Sequence, residues 1–175
     1  MSVQDDCKEF ESRREFLKSA GGRCGVVAAI FIGPEARQPM ISVSEVRGVA
    51  GHGLEGDRYY REAGTFSEKS PTNQLTLIES EALDAAARDY GLEIRAGDSR
   101  RNVLTRNVAL NHLVGREFRI GEVRLRGLKL CEPCGHLEKL TGKQMIKALR
   151  HRGGLRAEIL CAGAIKVGDA IMEEG

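Results

Sequence analysis

Cys131-Glu132-Pro133-Cys134-Gly135-His136 places two thiols and an imidazole within six residues, a density of soft donors that serves few kinds of chemistry. A structural zinc site needs four ligands, and the extra candidates, His151 and Cys161, stand singly without a second C-x-x-C pair. A thioredoxin-type disulfide requires the motif to open a helix after a strand, whereas Pro133 and Gly135 predict a turn here. One reactive thiolate on a loop remains, able to carry sulfur or to ligate a soft metal. The bland alternative is buried, inert cysteine.

A second group of residues suits anions. Arg100-Arg101-Asn102 and Arg152-Gly153-Gly154-Leu155-Arg156 are basic clusters at predicted strand or helix ends. Guanidinium groups fork onto phosphate or carboxylate oxygens, and Gly153-Gly154 would let backbone N–H groups approach the same anion. With Arg58 they would form a pocket for a phosphorylated small molecule; otherwise they are a solvated face. Gly51-His52-Gly53-Leu54-Glu55-Gly56 matches G-x-G-x-x-G, but no amphipathic helix follows to present its N-terminus to a pyrophosphate. The glycines instead permit a tight turn that aims Asp57 and Arg58 into the domain. There is no nucleophile elbow and no H-E-x-x-H, so an ordinary hydrolase or metalloprotease has no support.

The elements that must position these residues are short. Val26 to Ile32 reads as a buried strand, and Ile41 to Val49 as a half-buried one interrupted near Glu45. Residues 61–73 are polar and aperiodic, a surface excursion. After the strand Leu75 to Ile78, Ser80 is placed to cap a helix with Leu83, Ala86, Ala87 and Tyr90 on one face, stopped by Gly91. From Arg101 onward, β-type runs (Val103-Leu104, Phe118 to Ile120, Val123 to Leu130) alternate with glycine turns in the rhythm of a barrel. A small helical turn fits at Asn111 to Val114. Thr141 and Gln144 suggest a capping box for a helix carrying Met145, Ile146 and Leu149 that ends at Gly153-Gly154. Ala157 to Leu160 and Ala164 to Ile171 close the chain as strands. The fold class is α+β, mainly β.

At 175 residues the chain has the size of one domain. With 27 Lys and Arg against 25 Asp and Glu, it has no net basic field, so no nucleic acid is expected as partner. The longest apolar run, Gly25 to Gly33, is about half what a bilayer crossing needs, so no membrane is expected either. Five cysteines at irregular spacing argue for reduced thiols. Ser12-Arg13-Arg14-Glu15-Phe16-Leu17-Lys18 matches the twin-arginine export pattern. No clean cleavage site follows, and the apolar run doubles as a strand, so the expectation is a cytoplasmic protein, export by that route being the alternative. Residues 1–23 are read as a polar extension and 24–175 as the domain.

Gly53-Leu54-Glu55-Gly56-Asp57-Arg58, Gln74 with Leu75-Thr76-Leu77-Ile78-Glu79, Arg101-Asn102-Val103, Asn111-His112-Leu113-Val114-Gly115, Leu130-Cys131-Glu132-Pro133-Cys134 and Arg152-Gly153-Gly154-Leu155-Arg156-Ala157, in this order, resemble the MOSC domain, named for the C-terminal domain of molybdenum cofactor sulfurase. The resemblance covers residues 25–173. It implies a β-barrel-like fold with a few short helices and a cysteine that carries sulfur or ligates molybdenum in a pterin cofactor. In the branch resembling amidoxime and hydroxylaminopurine reductases, the metal ligand corresponds to Cys134. Asp57, Arg58, Gln74, Arg101, Asn102, Arg152 and Arg156 are the implied cofactor-binding residues. Many relatives carry a His-Gly-Gly segment soon after Gly-Asp-Arg, which is replaced here from Ala63 to Asn73. Neither a PLP-dependent desulfurase nor a ferredoxin is fused within these residues. An oxidoreductase acting on N-hydroxylated bases or related small molecules would therefore need a separate electron donor, and a sulfur carrier a separate cysteine desulfurase. A zinc-stabilised binding module is the non-enzymatic alternative.

Overall fold

The computed structural model describes residues 25–61 and 70–174. The N-terminal extension and its twin-arginine match, Cys7 and Cys24, and most of the polar excursion lie outside the described residues. Chain order gives strands β1 (Gly25–Ile32), β2 (Ile41–Val43), β3 (Glu45–Val49), β4 (Gly53–Leu54) and β5 (Leu75–Glu79), then helix α1 (Ser80–Tyr90) and β6 (Val103–Arg106). There follow β7 (Glu117–Ile120), β8 (Val123–Leu130), helices α2 (Gly135–Thr141) and α3 (Met145–Leu149), and strands β9 (Leu155–Cys161), β10 (Gly163–Lys166) and β11 (Ala170–Glu173). Single 3-10 turns span Pro71–Asn73, Ala96–Ser99 and Leu110–Leu113.

Seven of the described strands close into a barrel in the order β11-β7-β8-β9-β5-β6-β1, sealed by β1 pairing with β11, while β2 adds to the outer edge of β1. Closure removes the free edges that an open sheet would expose. The parallel pair β5–β6 is bridged by α1, as a parallel connection requires. Strands β10, β3 and β4 form a second, small sheet. Alternation explains most of the core: Leu75, Leu77, Val103, Phe118, Leu125 and Leu155 point into the barrel, and a register shift between Val27 and Ala29 lets Val27 and Ile30 of β1 join them. Ile78, next to the inward Leu77, faces the other way into a second cluster with Leu83, Ala86, Leu137, Met145 and Leu149. Each fully buried side chain of this size contributes about 1.5–3 kcal/mol. β5 is thus buried on both faces, and it fixes the helices against the barrel beside the site.

Several local expectations hold and others do not. Gly91 adopts φ 62° and ends α1, its N–H reaching Ala87 O at 2.9 Å in the 5→1 bond of an αL stop, while Leu92 N–H reaches Ala86 O at 3.3 Å. The interruption near Glu45 falls at Ser44, between β2 and β3. Ser80 is not the cap but the first helical residue; Glu79 precedes it, and its carboxylate accepts from Leu110 N–H at 2.6 Å. The turn expected after Cys134 is instead α2, with Cys134 at its cap position. Leu137 buries in the helical cluster, and Pro133 sits before the first turn, where a missing N–H costs nothing. The Thr141/Gln144 capping box does not form. Thr141 closes α2 by donating to Leu137 O at 2.8 Å, and Glu138 Oε1 accepts from Ile146 N–H at 2.9 Å in its place.

Candidate functional site

The site grows from the end of β1, where the chain leaves the barrel at Gly33. Asp57, 3% exposed, accepts from Gly33 N–H at 2.8 Å and Tyr59 N–H at 3.0 Å, and from Asn102 Nδ2 at 3.2 Å. Asn102 Nδ2 also donates to Phe31 O at 3.2 Å, while its Oδ1 accepts from Thr76 N–H and Thr76 Oγ1 at 3.2 and 2.8 Å. Two donors and two acceptors are all an amide offers, so Asn102 is saturated as the knot between β1, β5 and the Asp57 turn. The Gly51–Gly56 turn does aim Asp57 and Arg58 inward; a Cβ on Gly53, which has φ +111°, would lie 2.9 Å from Gln74 O.

Arg58 then lies flat along this knot. Its Nη1 donates to Gly33 O at 3.3 Å, its guanidinium stacks 4.6 Å over the Tyr59 ring, and Asp57 is 3.9 Å away. A Cβ on Gly33 would fall 2.1 Å from Nη1, so only glycine leaves room for the guanidinium there. Arg58 is 7% exposed, and its Nε is buried with no hydrogen-bond partner. Such a donor is costly to leave unpaired. Arg100, held with φ 59° and donating to Gln38 O at 2.6 Å, has its pKa lowered, first by burial and then by the charge of Arg58. Two guanidiniums repelling one another at the edge of a cleft create a demand for an anion.

The opposite wall carries the thiol. Arg101 donates through Nε to Gly153 O at 2.9 Å, through Nη1 to Ser99 O at 3.0 Å and through Nη2 to Cys131 O at 2.6 Å. It thereby pins the strand that delivers Cys134. One N–H on each terminal nitrogen remains for a ligand. Cys131 is buried with its N–H on Gly154 O at 2.7 Å, whereas Cys134 is exposed. Cys131 and Cys134 are both free thiols. A Cβ on Gly153 would meet Cys131 O at 2.5 Å and one on Gly154 would meet Leu77 O at 1.8 Å, so the pair exists to let three backbone segments touch. Arg156 completes the wall, its Nη1 donating to Thr72 O and Asn73 Oδ1 at 2.9 and 3.2 Å.

One cleft thus brings together Cys134, Arg58, Arg101, Asn102 and Arg156, with Arg37, Arg100, Tyr59, Thr76, Glu132 and His136 also lining it. The other three implied binding residues lie elsewhere. Asp57 stands behind the wall, Gln74 accepts from Ile159 N–H at 2.9 Å inside the barrel, and Arg152 pairs with Asp89 at 3.1 Å and lies over Tyr90. Arg37, in the aperiodic loop after β1, and Tyr59, next to the Gly-Asp-Arg turn, carry no sequence signal of their own; His136 lies inside the C-x-x-C-G-H segment. Glu132 binds His151 N–H at 2.9 Å and lies 3.4 Å from His151 Nδ1. Among the described residues no three His, Cys, Asp or Glu side chains converge as a metal cluster. No described helix is long and apolar enough to cross a membrane.

The fold matches solved structures. The YuaD protein of Bacillus subtilis superimposes with a TM-score of 0.71 at 15% identity, over 85% of this chain and 94% of that one. YiiM from Geobacillus stearothermophilus gives 0.65 at 14% identity (86% of this chain, 75% of that one) and YiiM from Escherichia coli 0.65 at 18% (87% and 70%). No curated protein matches the sequence significantly. The family model described as MOSC domain matches residues 65–172, which is more than half of the chain and includes β5 through the Cys134 segment and Arg156. The chain belongs to the MOSC domain family.

Proposed function

We propose that this protein binds the molybdenum cofactor in the Cys134 cleft, with the Cys134 thiolate as the protein's ligand to molybdenum. The observation that carries the reading is the pairing of an exposed thiol with a surplus of guanidinium donors, among them the buried, unpartnered Nε of Arg58. The donor chemistry fits the group: one soft thiolate suits a high-valent molybdenum, and a guanidinium array suits a pterin carrying a phosphate. Arg58 and Arg100 take the anionic end, Arg156 and the remaining N–H groups of Arg101 supplement them, and Asp57 and Asn102 hold the wall without touching the ligand.

The activity we assign is an oxidoreductase one, on N-hydroxylated bases or related compounds. When bound, the cofactor supplies two-electron chemistry, by which the N–O bond of a hydroxylamine is cleaved and, with two electrons and two protons taken up, the amine and water are released. The chain's own residues hold and orient: Arg101 fixes the segment that presents Cys134, and Pro133 and Leu137 set its exit from the strand. Electrons come from a separate donor. The domain is taken to begin at Cys24 and the protein to act in the cytoplasm, because β1 is part of the barrel wall.

Sulfur carriage uses the same thiol and is the competing account. The two separate by analysis of protein purified from a host that makes the cofactor. Molybdenum and pterin in near-equal amounts, close to one per chain, support the cofactor reading. A persulfide on Cys134, seen as one added sulfur by mass spectrometry, with no molybdenum, overturns it.

A further inference from the structure

Beside the cleft, and sharing Arg37 and Arg100 with it, runs a groove of about 520 Å³ between the loop after β1, the 3-10 turn Ala96–Ser99 and the end of α2. Its charge is one-sided. Among the described residues Arg37, Arg95, Arg100 and Lys143 line it against one carboxylate, Asp98, and that carboxylate is shared by Arg95 at 3.2 Å and Lys143 at 3.1 Å. On other faces cations and carboxylates are matched: Arg116 with Glu173, Arg126 with Glu117, Lys166 with Glu45 and Arg47 with Glu55. Among the described residues the groove's lining therefore carries more cations than carboxylates. The centre of the groove is apolar, made by Pro39, Met40 and Leu140.

From this we infer that the groove is the docking surface for an acidic electron-carrier protein, an inference that rests on the oxidoreductase reading above. Exposed cations such as Arg95 bind a single small anion weakly, because water screens each pair. Several of them together steer and orient a large surface of opposite sign. An apolar centre ringed by charge has the layout of a protein interface. Single-stranded nucleic acid, the other polyanion of this size, calls for aromatic platforms on which bases stack, and among the described residues no Phe, Tyr or Trp lines the groove. Its position supplies the remaining argument: a carrier seated there rests against Arg37 and Arg100, the residues that also form the edge of the Cys134 cleft.

The test uses the full-length chain and an acidic plant-type ferredoxin as the probe, with affinity read by calorimetry at low and high salt. Binding is expected to weaken steeply as salt rises, and to fall at least tenfold in the Arg95→Glu, Lys143→Glu double variant. The same charge change on the second sheet, Arg47→Glu with Lys166→Glu, is expected to leave it within twofold. Thermal unfolding of each variant checks that the fold is kept. No binding by the wild type, equal losses in both double variants, or equally tight binding of a polyuridylate oligomer overturns the inference. Molybdenum content is measured separately, so a failure of the cofactor reading shows as absent metal, and a failure of the docking surface as affinity indifferent to Arg95 and Lys143.

Discussion

Arg101 shows how far a residue's task departs from its type. A guanidinium next to Asn102 in a cationic cluster reads as an anion ligand, yet three of its N–H groups are engaged with the carbonyls of Ser99, Cys131 and Gly153. That use was not legible in the sequence, because two of the partners lie 30 and 52 residues away and a backbone carbonyl has no residue-specific signal. Arg58 was legible, since a Gly-Asp-Arg turn after a strand has few ways to place its arginine other than inward. Lysine at position 101 keeps the charge but not the fork. Arg101→Lys is expected to lower the unfolding free energy by about 2 kcal/mol, one charged hydrogen bond or slightly more. It should also change the rate at which iodoacetamide alkylates Cys134, because the segment bearing the thiol loses its anchor. Urea unfolding and the alkylation time course check this; an unchanged alkylation rate would show that Arg101 does not position the thiol.

Among the elements, strands with clean alternation were readable and α2 was not. Leu75, Leu77 and Ile78 announce a strand buried on both faces, and Gly91 announces a helix stop. The segment after Cys134 contains Pro133 and Gly135, residues that favour turns, and becomes helical because Leu137 has a place in the cluster under α1, a tertiary fact. The glycine pair before β9 was legible as a special backbone but not as to purpose. Gly154→Ala puts a methyl into Leu77 O and forces φ +101° on a residue with a side chain. We expect a loss of at least about 3 kcal/mol, measured by denaturant unfolding; a loss under about 1 kcal/mol, the size of an ordinary surface change, would mean that β9 and β5 approach less closely than described. The β7–β8 ladder makes a pH prediction. Glu117 is held below the usual carboxylate range, first by its hydrogen bond from Arg126, with Arg124 adding to it. A depressed folded pKa gives stability that is present above the unfolded value and is lost as pH falls through the folded one. In Glu117→Gln, the stability difference from wild type should therefore shrink as pH falls through and below the ordinary carboxylate range, and shrink further in high salt, since its partners Arg124 and Arg126 are exposed. A difference that grows on acidification would contradict the pairing.

At the scale of the whole molecule, the barrel depends on β1, which pairs with β11, β6 and β2 and leads into Gly33 at its site end. An apolar run flanked by a twin-arginine pattern is ambiguous in sequence; its role as a wall strand is settled by its partners. A chain starting at Cys24 is expected to give a cooperative thermal transition, and one starting at Arg37 none, since it opens the barrel, leaves one edge each of β6 and β11 without a partner and removes Val27 and Ile30 from the core. A cooperative transition in the shorter chain would show that the barrel closes without β1. The central claim, that Cys134 ties a molybdenum cofactor into the guanidinium-lined cleft, is tested most directly by metal analysis of three proteins prepared side by side. Wild type and Cys131→Ser are predicted to carry molybdenum, while Cys134→Ser keeps a cooperative thermal transition and carries none. Equal molybdenum in Cys134→Ser and wild type, or loss only in Cys131→Ser, would contradict it.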